Sequence, residues 1–334
     1  MRSFKSLLSS VVAVALLFVA STLSAAEDKS AKTFSWQDDP QAGTTDLKYG
    51  DQPVVRYMHA YDTSTEKRAH ETFKVFHHVF GPGSEDIITK GPHGKFTHHR
   101  GIFFGFNKTQ FEGQELDFWH CKKGEHQRHI GFQELAADEK QARMIAEIHW
   151  IDREGKPVII EARDFTFRPL SGDLKGKGFQ IDFESTLTSK RGTITLTGDR
   201  QHAGFQIRAA QEIAETDGAR YVRPAGFPEQ AEAFQANDKT EPNKHIDLGW
   251  FAMTYELNGR RYTFEYFEDP SMPKPSRFSE RPYGRFGAFF TAKVSEDQPL
   301  QVRYRVNVIT GETPTREEIQ QRYDQFVAEL AKAK

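Results

Sequence analysis

Between residues 47 and 309 the chain is written in short apolar runs, each broken off by glycine, proline, asparagine or aspartate. They include Val54-Val55-Arg56-Tyr57 and Phe73-Lys74-Val75-Phe76, then residues 102–106, 142–151, 158–167, 179–187, 193–196, 205–213, 250–257, 262–267, 286–290 and 302–309. Alternating or continuously apolar runs of this length, bounded by turn residues, predict strands. Asp152-Arg153-Glu154-Gly155 and Leu257-Asn258-Gly259-Arg260 each separate two runs. Asn-Gly tolerates the positive φ angles of a tight turn, so these are read as antiparallel hairpins. A strand-helix alternation of the kind a parallel sheet requires is missing, as is any fixed-period repeat. The expected fold is mainly β, a large antiparallel β-sandwich (supersandwich-like) over residues 46–312, with a C-terminal α-helix.

That helix is expected within residues 313–334, where Ile319, Tyr323, Phe326, Val327 and Leu330 recur at helical spacing. Thr315-Arg316-Glu317-Glu318 can form a capping box at its start, and the apolar stripe is expected to pack on the sandwich. At the other end, Arg2 and Lys5 precede an apolar run over residues 7–20, and Ser24-Ala25-Ala26 offers small residues for cleavage. Residues 1–26 are therefore read as a signal peptide, and residues 27–45 as a polar, flexible arm. The protein is expected to be exported, periplasmic or extracellular, with no stable membrane insertion after signal cleavage.

Composition narrows the partners. A formal net charge of −2 with dispersed lysines and arginines gives no concentrated basic face, so nucleic acid is not an expected ligand. Cys121 is the only cysteine, so no intramolecular disulfide forms, and it is read as a buried thiol. About 300 residues suffice for an ordinary core.

The chemistry concentrates in a few places. Ten of the 13 histidines fall between His59 and His129. Thr97-His98-His99-Arg100-Gly101 leads into an apolar run, as a strand would with its polar end at the rim of a pocket. His98 and His99 then point to opposite faces, one toward ligand and one structural, unless a bulge intervenes. In the run after Asp199, extended chain puts His202, Gly204, Gln206 and Arg208 on one face, with Gly204 leaving room for a ligand. His98, His99 and His202 are candidate acid/base groups. Arg100, Gln206 and Arg208 would orient oxygen atoms, with Asp117 beside them and Trp119 stacking on a sugar face. Tyr283 and Arg285, after a proline-rich loop, could complete a carbohydrate or carboxylate pocket. Imidazole also ligates metals, and His98, His99 and His120 form a candidate set for a divalent ion. No His-Glu-x-x-His or Cys-x-x-Cys spacing supports it, so such a site would need tertiary assembly. Walker, Gly-x-Ser-x-Gly and dinucleotide signatures are missing as well.

Jointly, Thr97-His98-His99-Arg100-Gly101-Ile102-Phe103-Phe104, Asp117-Phe118-Trp119, His202-Ala203-Gly204-Phe205-Gln206-Ile207-Arg208 and Tyr283-Gly284-Arg285-Phe286-Gly287 resemble the secreted bacterial PmoA-like family, often labelled methane oxygenase PmoA. The resemblance spans about residues 50–311. A methane monooxygenase subunit crosses the membrane repeatedly, which this hydrophilic chain is not built to do, so methane oxidation is not expected of it. The occurrence of this family among exported polysaccharide-processing proteins implies a small-molecule or glycan ligand. The expected function is an enzyme acting on a carbohydrate or sugar-derived acid by His-based acid/base or metal-assisted chemistry. The alternative is a noncatalytic carbohydrate-binding or surface-interaction protein.

Overall fold

The computed structural model describes residues 32–227 and 245–332, and the signal peptide expected at residues 1–26 lies outside them. In chain order the apolar runs form β1 (Phe34–Asp39), β2 (Thr44–Tyr49), β3 (Gln52–Met58), helix α1 (Glu66–Thr72), β4 (Phe76–Val79), β5 (Ile102–Phe106), β6 (Thr109–Phe111) and β7 (Gln114–Leu116). Four long strands follow: β8 (His126–Ala137), β9 (Ala142–Ile151), β10 (Pro157–Pro169) and β11 (Gly178–Thr188). Next come β12 (Ile194–Leu196), β13 (Ala203–Arg208), helix α2 (Gln211–Thr216), β14 (Arg220–Val222), β15 (Trp250–Leu257) and β16 (Arg260–Glu268). The chain ends in β17 (Arg277–Arg281), β18 (Arg285–Phe289), β19 (Ala292–Val294), β20 (Leu300–Thr310) and helix α3 (Arg316–Lys332).

Two eight-stranded sheets result, ordered β1-β2-β3-β4-β5-β13-β18-β17 and β14-β15-β16-β20-β11-β10-β9-β8, with a four-stranded sheet β19-β12-β6-β7 beside them. Neighbouring strands pair antiparallel, as in β5 with β13 and β15 with β16. The fold is thus the expected antiparallel β architecture with a C-terminal helix. The core lies between the large sheets, where the Phe205 ring of β13 stacks on Phe183 of β11 at 4.3 Å and on Tyr304 of β20 at 4.9 Å. The Asn258-Gly259 hairpin forms with both residues at positive φ, 52° and 73°. Thr315 and Glu318 close a reciprocal capping box. Ile319 and Phe326 of α3 are buried with Trp250, Ala252 and Phe267, the face of the second sheet that the helix covers.

Three local expectations give way. Within the stretch read as a flexible arm, Phe34–Asp39 is a strand paired with β2. Only Phe34 and Trp36 supply its inward face, too short an alternation to stand out, yet they pack on Phe179 and Phe167. Residues 97–101 are not strand, and β5 begins at Ile102. The space expected beside Gly204 is taken by main chain: its φ is 82°, and an added Cβ would lie 2.0 Å from the Ala288 carbonyl oxygen. There glycine serves close strand approach rather than ligand room.

One core residue generates a stability test. His77 of β4 is buried, stacked on Tyr57 at 4.6 Å and against Phe165 at 4.3 Å, and neither ring nitrogen has a hydrogen-bond partner among the described residues. Burial, reinforced by the Arg163 guanidinium, holds its pKa well below the ordinary 6.5. Folded chain therefore keeps His77 neutral, while unfolded chain takes up a proton as pH falls through about 6.5. Stability is intact above that pH and is lost progressively below it. His77→Phe is expected to raise stability by about 1 kcal/mol at pH 7 and to flatten the decline in Tm between pH 6.5 and 4.5. Thermal melts across that range check it; a less stable variant with an unchanged acid slope would contradict it.

Candidate functional site

Two turns in this chain share one design. Asp117-Phe118-Trp119-His120 and Asp199-Arg200-Gln201-His202 both read Asp-x-x-His. In each, one carboxylate oxygen accepts from the backbone N–H groups two and three residues on: Asp117 from Trp119 and His120, Asp199 from Gln201 and His202. This is the local bonding by which aspartate shapes a turn. In each, the carboxylate also meets Nδ1 of the histidine, at 2.8 Å in the first turn and 3.1 Å in the second. When Nδ1 donates to the carboxylate, Nε2 carries a free lone pair.

The two turns face each other, with the rings of His120 and His202 4.7 Å apart. His98 completes the group, its ring 5.0 Å from His120 and 5.6 Å from His202. The register Ala203↔Phe106 and Ile207↔Ile102 places His202 at one end of the β5/β13 pair and the entry to β5 at the other. The segment before β5 must therefore double back across the sheet's outer face, and Phe96, at φ 59°, turns it. One nitrogen from each of the three imidazoles can be chosen so that all lie within 4.8 Å of one another. The cluster reaches solvent, the His120 and His202 side chains being 18% and 21% exposed.

Behind the imidazoles stand three buried cationic side chains. Each donates to the carbonyl just before one of the histidines. Arg100 Nη1 bonds Thr97 O at 2.7 Å, Lys74 Nζ bonds Trp119 O at 2.6 Å, and Arg208 Nη2 bonds Gln201 O at 2.9 Å. No carboxylate among the described residues pairs with any of them at ion-pair distance. Lys74 Nζ sits 4.1 Å above Phe103 and 5.0 Å above Trp119, while Arg208 approaches the Trp119 ring at 5.3 Å. Such cation–π contacts compensate only part of the lost hydration.

Burial is the main cause of the pKa shifts here. It lowers Lys74 well below the usual lysine range, and Arg100 adds to the shift. It likewise drives His98 down, with Lys74 as the largest neighbouring charge, so His98 stays a neutral imidazole. His202 is lowered by burial and partly restored by Asp199. Burial would raise Asp117, but the bonds from His120 outweigh it and leave its carboxyl below the ordinary value.

Among the residues singled out from sequence, His98, His120 and His202 converge, with Asp117 supporting His120. His99 does not join them: it is 4% exposed, packed between Phe96 and Tyr283. The candidate metal set changes accordingly, His202 taking the place of His99: the His99 ring lies 4.6 Å from that of His98 but is packed among Phe96 and Tyr283, while His202 arrives beside His98 and His120 through the sheet pairing. Arg100 is spent on the carbonyls of Thr97, His99 and His70. Gln206 is spent on Ala203 O and Arg208, not on an open face. Arg285 holds Arg200 O, in the same turn that carries His202. Trp119 is buried, edge-on to Phe103 at 4.9 Å, so it forms the floor rather than an open stacking platform. Lys74 and Asp199 were not singled out; the repeated Asp-x-x-His spacing was the available signal for the aspartate. Burial pushes the Cys121 thiol up, away from reactive thiolate. A cleft of about 500 Å³ flanks α3, but Arg305 and Arg322 in its wall are already paired with Asp182 and Glu265.

A protein-family model described as "Family of unknown function (DUF6807)" matches residues 44–324. The chain belongs to that family. The matched span takes in all three histidines of the cluster and both Asp-x-x-His turns of this DUF6807 member. No curated protein matches the chain. Solved structures with some likeness include heparan sulfate lyase HepC from Pedobacter heparinus, at 9% identity and TM-score 0.34, over 84% of this chain and 37% of that one. A putative kojibiose phosphorylase from human microbiome follows at 8% identity and TM-score 0.34, over 90% of this chain and 36% of that one. The Slr1438 protein from Synechocystis sp. PCC 6803 shares 11% identity at TM-score 0.34, over 83% of this chain and 96% of that one. The DUF6807 chain thus spans little more than a third of the first two.

Because buried Trp119 packs against Phe103 and the His202 ring, its loss is expected to act on the fold. Trp119→Ala should cost about 3–5 kcal/mol in chemical denaturation. Unchanged stability with lost ligand binding would instead return Trp119 to a stacking role.

Proposed function

We propose that this chain is an exported enzyme acting on a carbohydrate or sugar-derived acid, with a divalent metal ion held by His98, His120 and His202. The observation that carries the metal is the convergence of three imidazoles, two of them backed through Nδ1 by carboxylates. That backing fixes ring orientation and tautomer, as supporting carboxylates do around known metal sites. A tetrahedral ion has nitrogens about 2.0–2.1 Å away and hence about 3.4 Å apart, so the rings need only a modest inward movement to close on it. Three protein ligands leave a position for substrate or water, the arrangement of a catalytic rather than a structural site. Bound there, the ion would polarise a carbonyl or lower the pKa of a water.

The chain's own residues supply the rest. Asp117 and Asp199 orient His120 and His202, and the buried cations hold the carbonyls that set the three backbones. His99, neutral and beside His98 at a ring distance of 4.6 Å, is a packing neighbour of the centre. The carbohydrate part of the proposal, like export, is supported by the resemblance to the exported PmoA-like proteins and by the N-terminal pattern of the sequence.

Purified protein supplied with divalent ions is expected to retain about one ion per chain by inductively coupled plasma mass spectrometry. His202→Ala should lose that ion and all turnover on a glycan and sugar-acid panel while keeping its fold. Asp199→Asn should weaken ion affinity about 10–100-fold. Full occupancy and activity in His202→Ala would overturn the assignment.

A further inference from the structure

Three buried N–H donors around the cluster have no acceptor among the described residues: Nε of Arg100, Nε of Arg208 and Nε1 of Trp119. Arg208 Nη1 also donates to the Ile207 carbonyl, and none of the three side chains has an ion pair among the described residues. Burying a polar donor unpaired is costly, and burying a guanidinium without a counter-charge more so. The cost recurs on three chain segments that meet at one place, which points to a common purpose rather than to isolated defects. Among the described residues, the only negative groups bonded to the three histidines of the cluster are Asp117 and Asp199. With a divalent ion bound, those two carboxylates offset the ion alone. The guanidiniums of Arg100 and Arg208 then remain uncompensated, whatever the protonation state of Lys74.

From this excess of positive charge we infer that the substrate of the centre is an anion, specifically a sugar whose carboxylate approaches the open side of the three histidines. The inference rests on the metal-enzyme reading above and narrows its substrate class. Arg100 and Arg208 are 1% and 2% exposed, so they act through their field and not by contact. In a weakly screened interior such fields persist where surface charges fade. They select the sign of the ligand's charge, while its shape is left to the rim.

The test is calorimetric titration of the ion-loaded protein with D-glucuronate, D-glucose, D-glucose 6-sulfate and a glucuronate-terminated oligosaccharide. Glucuronate is expected to bind at least tenfold more tightly than glucose. A still tighter oligosaccharide would assign the carboxylate to a polymer end, and a weaker one to a free sugar acid; both keep the inference. Equal binding of glucose and glucuronate, or a preference for the sulfate, overturns it. Ion content measured on the same samples separates this failure from failure of the metal assignment. Lys74→Met supplies a second measurement: if its amine contributes charge, the preference for glucuronate shrinks, and a preference retained in full leaves it with the two arginines. The ligand comparison itself needs no variant, so it holds even where a substitution impairs folding.

Discussion

Everything at the imidazole cluster depends on buried cations bonded to backbone carbonyls. A histidine ring goes where its main chain puts it, and three loops without regular structure would not by themselves hold three rings within reach of one another. Here Arg100, Lys74 and Arg208 each grip the carbonyl immediately before a histidine. Charge-assisted bonds of this kind are stronger than neutral ones, and the low dielectric around them strengthens them further. Their positions come from regular or buried structure: Arg208 from β13, Lys74 and Arg100 from segments packed against Phe73, Phe76 and Phe103. The sandwich thus transmits its rigidity to the loops through side chains that never meet solvent.

That solution creates a tension. Cations beside the imidazoles would oppose any cation bound there, and the two Asp-x-x-His turns place a carboxylate against Nδ1 of two of the rings. The aspartates do double duty, since the oxygen that shapes the turn and the oxygen that supports the imidazole belong to one side chain.

Much of the fold was legible in the sequence for reasons that are local. Asn258-Gly259 and Thr315 with Glu318 act through bonds a few residues long, and the alternation in β9 and β10 reports directly which side is buried. β1 escaped because two aromatic residues on six positions look like noise until Phe167 and Phe179 are known to await them. At the site, the polar islands around His98, Asp117 and His202 were visible as composition, but not which ring went where. Choosing His202 over His99 requires the β5/β13 register and the reversal at Phe96, and neither leaves a local mark. Lys74 was hidden by sitting inside an apolar run, where it read as the polar beat of a strand. Trp119, Gln206 and Arg208 looked like ligand contacts because they are polar or aromatic beside histidines; burial, which sequence reports poorly, turned them inward.

His98 and His202 are about a hundred residues apart in the chain, and His120 lies between them. Contacts of that separation close late, after the local hairpins, because the loop entropy they cost must be offset by pairing already made. A newly made chain therefore has the three histidines but not the cluster. Whatever the imidazoles hold can be gripped only once the β5/β13 pairing has brought His202 to His98 and His120.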